Sequence, residues 1–526
     1  MRLRIVCVLV VAALVAVLVP WRAKGAAPAF QYSRGFVSSF DGTKIVWNLF
    51  LPNDAGPSHK VPVILRGHGW GGSGETNSSP SGTLTKLVAA DYAVMTWDSR
   101  GFGDSGGDAN IDDPGYEVRD ASALVDLLAT RPEIAQNAPG DPLIGMTGGS
   151  YAGGIQLALA AFDRRVDVIA PEITWNDLRY SLFPHNVIKF GWDQLLYAAG
   201  LATAVSGGLD PQGTAGIETG SYAPQIHEAE VKGAALGYPD QDTLDWFKGK
   251  GVAYYGFGHP VRVPTLLMQG SVDTLFNLND AYANLRHVQA NKVPAKLIAF
   301  CGGHVSCPSD YNDGGARAHL DTAILSWFAR YLRHQNVSTG APVEYSTQDG
   351  VWHSAGNFPT VTDRGAAKLV SATGSVSVLN TGLPTSGPGG SDSIDPIVTD
   401  APSISGDPGT GTVPVLTATK NTQVVGIPHV TGTVTGVGAG THLFFKLVDR
   451  EANRVLDLQA ESLRIDGPLL NTPVNFNLDL VGVTYMLPAG HHLDLQISTS
   501  SLAHVEYRGP ASLTVASTVT VPTLPG

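Results

Sequence analysis

Pro142-Leu143-Ile144-Gly145-Met146-Thr147-Gly148-Gly149-Ser150-Tyr151-Ala152-Gly153-Gly154-Ile155-Gln156 decides how the rest of this 526-residue chain is read. Residues 142–146 form a short apolar run, which predicts a buried strand. Residues 155–162 are rich in Ala and Leu, which predicts a helix. Between the two, Ser150 stands among residues with little or no side chain. A strand that turns directly into a helix strains the corner residue, and its neighbours must be small for the two elements to approach. Gly148, Ala152, Gly153 and Gly154 meet that need. The usual spacing is Gly-x-Ser-x-Gly, and Ala152 at the last position is a departure of one methyl group. A serine in this setting is held out as a nucleophile. The helix N-terminus behind it offers backbone N–H groups to an oxygen that gains negative charge.

Outward from this corner, the chain alternates between strands and helices. Residues 36–51 predict a hairpin turning at Asp41-Gly42. Strands follow at 61–65 and 92–97, with helices at 84–90 and 117–130. Beyond Ser150, strands are expected at 166–170, 263–270 and 295–300, and an amphipathic helix at 320–332. This alternation predicts βαβ units and a mostly parallel sheet. It breaks at about 172–260, which is aromatic, Gly-rich and helical in places, and which reads as a cap over the C-terminal edge of the sheet. From Pro342 onward short β-type runs dominate, at 368–378, 422–434, 441–448, 474–480 and 493–498, predicting a β-sandwich or jelly roll. Residues 380–412, rich in Gly, Ser, Pro and Asp, read as a long surface loop.

The first residues have the pattern of an export signal. Arg2 and Arg4 precede an uncharged apolar run over 5–19, too short for a membrane span, and small residues allow a cut before Ala26. Removing residues 1–25 takes four cations and moves the formal charge from −12 to −16. An acidic, secreted or extracytoplasmic protein is not expected to bind nucleic acid or, once its signal is gone, a membrane. Cys301 and Cys307 are then the remaining cysteines, and an even pair in an exported chain predicts a disulfide.

A nucleophilic serine needs a base, and the base needs an acid to orient it. On a sheet of this kind they follow in the order serine, acid, histidine, each at a strand end. Asp273 follows the strand at 263–270 and His304 the strand at 295–300, so Ser150, Asp273 and His304 are the candidate catalytic residues, with Asp280 as reserve acid. The oxyanion donors are expected to be the Tyr151 N–H and Trp70, by backbone or indole N–H, in the glycine-rich stretch Gly67-His68-Gly69-Trp70-Gly71-Gly72. His68 is expected to brace that stretch, and Arg100 to form an ion pair. Trp175, Tyr180, Phe183 and Trp192 in the cap are candidates to line an acyl pocket. No set of residues has metal-ligand spacing, His491-His492 being a weak pair in a β turn, and no cofactor is expected.

These motifs together resemble the Xaa-Pro dipeptidyl-peptidase/cocaine esterase (CocE/NonD-like) group of α/β-hydrolases. The resemblance is carried by Asp98-Ser99-Arg100-Gly101-Phe102-Gly103-Asp104-Ser105-Gly106, Gly148-Gly149-Ser150-Tyr151-Ala152-Gly153, Gly270-Ser271-Val272-Asp273 and His304. In the tail it is carried by Gly350-Val351-Trp352 and by Tyr485-Met486-Leu487-Pro488-Ala489-Gly490-His491-His492-Leu493. With the signal peptide read above at 1–25, it implies a catalytic α/β-hydrolase domain at 26–340 with its helical cap at about 172–260, and a C-terminal all-β jelly roll at 341–526. It further implies a serine hydrolase of esters or amides that forms an acyl-enzyme on a small-molecule ester or peptide substrate. Well-known members place a tyrosine hydroxyl in the oxyanion hole, where this chain has His68-Gly69-Trp70. Dipeptidyl-peptidases must hold a substrate ammonium with carboxylates, and the cap acids Glu172, Asp177, Asp193, Asp210 and Glu218 show no clustering in sequence. The expected activity is therefore that of a carboxylesterase. A dipeptidyl-peptidase-type aminopeptidase and a non-catalytic carbohydrate-binding protein are the rivals.

Overall fold

The computed structural model describes residues 30–76, 82–206, 221–381, 407–505 and 509–526. The signal peptide expected at 1–25, and most of the loop expected at 380–412, lie outside these. Among the described residues no helix is long and apolar enough to cross a membrane.

The first sheet has ten strands: β1 (Phe30–Ser38), β2 (Lys44–Pro52), β3 (Val63–Arg66), β4 (Ala93–Trp97), β5 (Ile144–Gly149), β6 (Val166–Glu172), β7 (Thr265–Gly270), β8 (Ala295–Phe300), β9 (Val343–Ser346) and β10 (Trp352–Ala355). Their spatial order is β1-β2-β4-β3-β5-β6-β7-β8-β9-β10. From β4 through β9 neighbours are parallel, and the hairpins β1–β2 and β9–β10 close the two edges with antiparallel pairs. Because β5, β7 and β8 are parallel, the loops that follow them leave from one edge of the sheet. Ser150, Asp273 and His304 stand in those loops.

Side-chain alternation splits the core between the two faces. Val63 and Leu65 pack with α2 (Glu117–Ala129) and α3 (Tyr151–Phe162). Ile64 packs on the other face with α1 (Thr83–Ala89) and α10 (Ala316–Tyr331). Between β6 and β7 the chain forms α4 (Leu178–Leu182), α5 (Phe190–Ser206), α6 (Pro224–Leu236), α7 (Gln241–Lys248) and α8 (Val252–Tyr255), the inserted cap. Helix α9 (Leu278–Ala290) then leads into β8.

The second sheet also has ten strands and is antiparallel. Besides the two-residue strand Arg454–Val455, it contains β11 (Lys368–Asn380), β12 (Thr410–Thr417), β13 (Thr422–Gly426), β14 (His429–Asp449), β15 (Glu461–Leu470), β16 (Val474–Asp479), β17 (Val483–Leu487), β18 (His492–Ser498) and β19 (Ala511–Pro525). Strand β14 curls this sheet. Its first half pairs with β19 and β16, and its second half with β18 and β15. Gly436, Gly438 and Gly440, with φ of 159°, 150° and 116°, lie at the change of partners.

Three sequence expectations change here. The run at 422–434 is split into β13 and β14, because Pro428 between them has no N–H to give to a ladder. Strands β12, β15, β17 and β19 were not expected, and β12 begins inside the loop expected at 380–412. The first sheet also continues past the boundary expected at 340: Val343 and Tyr345 bury against Leu297 and Ala299 of β8, and Val425 and Ile427 of the second sheet join the same cluster.

Candidate active site

Ser150 takes φ 60° and ψ −122°, a conformation a side chain ordinarily avoids and which costs on the order of 1–3 kcal/mol. Its N–H is held by the carbonyls of Glu172 (2.9 Å) and Ile173 (3.1 Å) at the end of β6. The Ala152 methyl sits in space that two glycines leave open. A Cβ on Gly148 would lie 2.7 Å from it and one on Gly67 2.9 Å, so the departure from the usual pattern is matched by what surrounds it.

The structure brings Ser150, His304 and Asp273 together. His304 Nε2 lies 2.7 Å from Ser150 Oγ, and His304 Nδ1 lies 2.7 Å from Asp273 Oδ2. Asp273 has no solvent exposure. Its Oδ2 also accepts the His304 N–H (3.1 Å), and its Oδ1 accepts the N–H groups of Leu275 (3.0 Å) and Phe276 (3.2 Å). A buried carboxylate with its lone pairs engaged this fully is fixed in direction. The imidazole is walled edge-on by Phe276 and Trp192, with ring centres 5.1 and 5.7 Å away. Cys301 and Cys307 are joined as a disulfide around the His304 loop. Asp280, the reserve acid, is elsewhere: it accepts from Asn176 N–H and Ser181 Oγ, and burial pushes its carboxyl up to about 6.

His68 braces its loop. Its Nδ1–H donates to the Gly69 carbonyl (2.8 Å), its Nε2 accepts the Ser99 N–H (3.0 Å), and burial pushes the imidazole down to about 4, so it stays neutral. The Trp70 indole is not free for an oxyanion. Its N–H donates to the Leu196 carbonyl (3.1 Å), and its ring packs on Phe102, Tyr151 and Tyr222. The backbone N–H groups of Trp70 and Tyr151 make no hydrogen bond among the described residues, Tyr151 being the first residue of α3. The Tyr151 hydroxyl donates to Glu117 Oε1 (3.3 Å), behind the serine. Arg100 is buried in a bidentate pair with Asp120 (2.6 and 2.7 Å).

Ser150 opens onto a mostly apolar cavity of about 80 Å³ roofed by the cap, whose walls include Trp70, Trp175, Leu182, Ile226, Phe247 and Phe276. Of the four expected lining residues only Trp175 lies there; Trp192 stands against His304 instead. Phe183 is one layer back, edge-on to Phe247. Tyr180 faces the second sheet, donating to Glu461 Oε2 (2.7 Å). Amphipathic helices show which positions are buried, but a short helix such as α4 does not reveal from sequence which neighbour each side chain meets.

Two carboxyls line the same cavity, Asp193 of α5 and Glu230 of α6. Burial and the adjacent Glu230 carboxyl push Asp193 up to about 8. Gln194 Nε2 donates to Glu230 Oε1 (2.6 Å), while Glu230 Oε2 is shut off from solvent and takes no N–H or hydroxyl among the described residues. Glu230 was not singled out from sequence, because it meets Asp193 only through the packing of two helices. In the second sheet, His491 faces Asp449 and His492 faces Glu451 (2.8 and 2.7 Å), each an ordinary acid–imidazole pair.

The family model described as X-Pro dipeptidyl-peptidase (S15 family) matches residues 41–306. The model of the X-Pro dipeptidyl-peptidase C-terminal non-catalytic domain matches residues 335–517. No curated protein matches the sequence. Among solved structures, an alpha-amino acid ester hydrolase labelled with selenomethionine is similar, with a TM-score of 0.71 at 16% identity over 96% of this chain and 98% of that one. So is an aminopeptidase from the marine sediment archaeon Thaumarchaeota archaeon, with a TM-score of 0.67 at 14% identity over 96% of this chain and 98% of that one. A CocE/NonD family hydrolase from Staphylococcus aureus gives 0.64 at 16% identity over 94% of each chain. At such identities these likenesses speak to the fold.

Proposed function

The chain belongs to the X-Pro dipeptidyl-peptidase (S15) family and is a serine hydrolase, and from that premise we propose that it is a carboxylesterase for small acyl groups, working through Ser150, His304 and Asp273. The observation that carries this reading is the unbroken line of hydrogen bonds from Ser150 Oγ through His304 to Asp273, at the wall of an apolar cavity. In the proposed reaction Ser150 Oγ attacks the ester carbonyl while His304 Nε2 takes the hydroxyl proton. Asp273 holds Nδ1–H and favours the imidazolium. The Tyr151 and Trp70 backbone N–H groups stabilise the oxyanion. His304 returns its proton to the leaving alcohol, and water then releases the acyl group by the same steps in reverse. The cavity of about 80 Å³ is roughly half the ~150 Å³ that accepts a benzene ring, which supports a short acyl chain.

A second reading rests on one observation. Asp193 and Glu230 sit in the Ser150 cavity close enough to share a proton, and an ammonium could take that proton's place. That supports acyl groups bearing an amine, in an ester or a peptide. The disulfide supports an extracytoplasmic location for the protein. Membership in a hydrolase family tells against the non-catalytic binding protein.

A panel of p-nitrophenyl esters from acetyl to decanoyl, aminoacyl p-nitrophenyl esters and aminoacyl-prolyl anilides tests the proposal. The expected result is a preference of about tenfold or more in kcat/KM for short acyl esters over decanoyl, in line with one to two methylenes' worth of discrimination. Faster turnover of the aminoacyl compounds, abolished in KM by Asp193→Asn, would establish the second reading. Turnover of the anilides alone would overturn the esterase.

A further inference from the structure

The acid of the proposed Ser150–His304–Asp273 line is carried on a short loop, Ser271-Val272-Asp273-Thr274-Leu275, that follows β7. A loop needs its carbonyls occupied if it is to stay in one conformation. Four of these five carbonyls are held by just two side chains, and neither belongs to the first sheet. From the cap, the buried Lys189 donates its Nζ to the carbonyls of Thr274 (2.7 Å) and Leu275 (2.9 Å). From the C-terminal domain, the buried Gln459 donates its Nε2 to the carbonyls of Ser271 (2.8 Å) and Asp273 (3.0 Å).

Gln459 is itself placed with care. It follows the turn Leu456–Leu458 between β14 and β15, where Asp457 and Leu458 take φ of 49° and 60°. Non-glycine residues keep such angles only when their surroundings impose them. Asp457 is buried and its Oδ2 accepts the Thr484 N–H (2.6 Å), which ties the turn to β17. Leu458 packs in the same apolar cluster as Trp192, Phe276 and Cys301. The second domain therefore presents one amide, on a constrained turn, to the backbone of the residue that aims the histidine.

We propose that Gln459 of the C-terminal domain is a positioning residue for hydrolysis, its amide fixing the Ser271 and Asp273 carbonyls so that the Asp273 carboxylate stays aimed at His304. This gives the C-terminal domain a part in catalysis without contact with substrate. It rests on the triad reading above. The effect should appear in the rate of serine attack and not in substrate binding, since Gln459 is absent from the walls of the Ser150 cavity.

The test compares Gln459→Met, which keeps side-chain length and removes the donor, with Gln348→Met as a control. Gln348 also joins the domains, exchanging hydrogen bonds with Met486 (2.6 and 2.7 Å), but it does not touch the Asp273 loop. Gln459→Met is expected to lower kcat and the rate of Ser150 labelling by a fluorophosphonate about tenfold, within the ~10² that a 1 Å misplacement can cost, while KM stays within about twofold. Gln348→Met is expected to leave kcat unchanged. In an Asp273→Asn background the Gln459→Met effect on labelling should vanish, because both act through one carboxylate. If the methionine variant does not fold, Gln459→Asn, whose amide stops one carbon short, reads the same split. An unchanged kcat, an equal loss in Gln348→Met, or an undiminished loss in the Asp273→Asn background would overturn the proposal. Unaltered labelling in Asp273→Asn alone would instead remove the triad reading on which it rests.

Discussion

Ser150 is visible in sequence because strain leaves a signature: a residue forced to φ 60° needs small neighbours, and Gly148, Ala152 and Gly153 are small for that reason. Asp273 and His304 could be named because chain order and strand ends restrict the choice to a few loop residues. The Trp70 indole shows where that logic ends. An aromatic in a glycine-rich loop looks like a donor, yet its N–H goes to the Leu196 carbonyl, 126 residues away in sequence. The Asp193–Glu230 pair was equally out of reach, since neither residue has a local pattern. Asp193 is held near 8 against an ordinary value of 3.8, so its folded form grips a proton that the unfolded form releases. The stability this contributes is full below pH 4 and is lost as pH rises through about 8. The melting temperature of the wild type should therefore fall relative to that of Asp193→Asn between pH 5 and pH 9. Parallel curves for the two proteins over that range would show that the pair shares no proton.

The elements of the first sheet were legible because buried parallel strands are short apolar runs separated by amphipathic helices. Those of the second sheet were less so. Strand β14 runs for 21 residues through several glycines, and β15 contains Gly467-Pro468, so both read as broken from the inside. The loop after β8 belongs to neither sheet's pattern, and its character comes from the disulfide of Cys301 and Cys307. A bridge closing so short a loop contributes only about 2 kcal/mol by chain entropy. His304 stands inside it, and in the proposed mechanism a misplacement of about 1 Å from Ser150 can cost on the order of 10² in rate. Reduction is expected to lower turnover severalfold while moving the melting temperature by only a few degrees. A melting temperature that collapses before activity does, or a free-thiol mass for the non-reduced peptide holding both residues, would contradict this.

At the scale of the whole molecule, three bodies meet at the proposed reaction centre. The first sheet supplies Ser150, Asp273 and His304 from its common edge, the cap encloses the cavity at Ser150, and the curled second sheet reaches the Asp273 loop through Gln459. The order of domains was readable from the change of composition near Pro342. The contact between them was not, because Gln459 and Ser271 are 188 residues apart and nothing local marks either as a partner. Every step of the proposed reaction depends on Ser150 being the nucleophile. The most direct measurement is the turnover of p-nitrophenyl acetate by Ser150→Ala beside the wild type, with folding checked by the melting temperature. The expected result is a folded protein whose kcat has fallen by at least about 10³. A folded Ser150→Ala protein that retains wild-type turnover would contradict it.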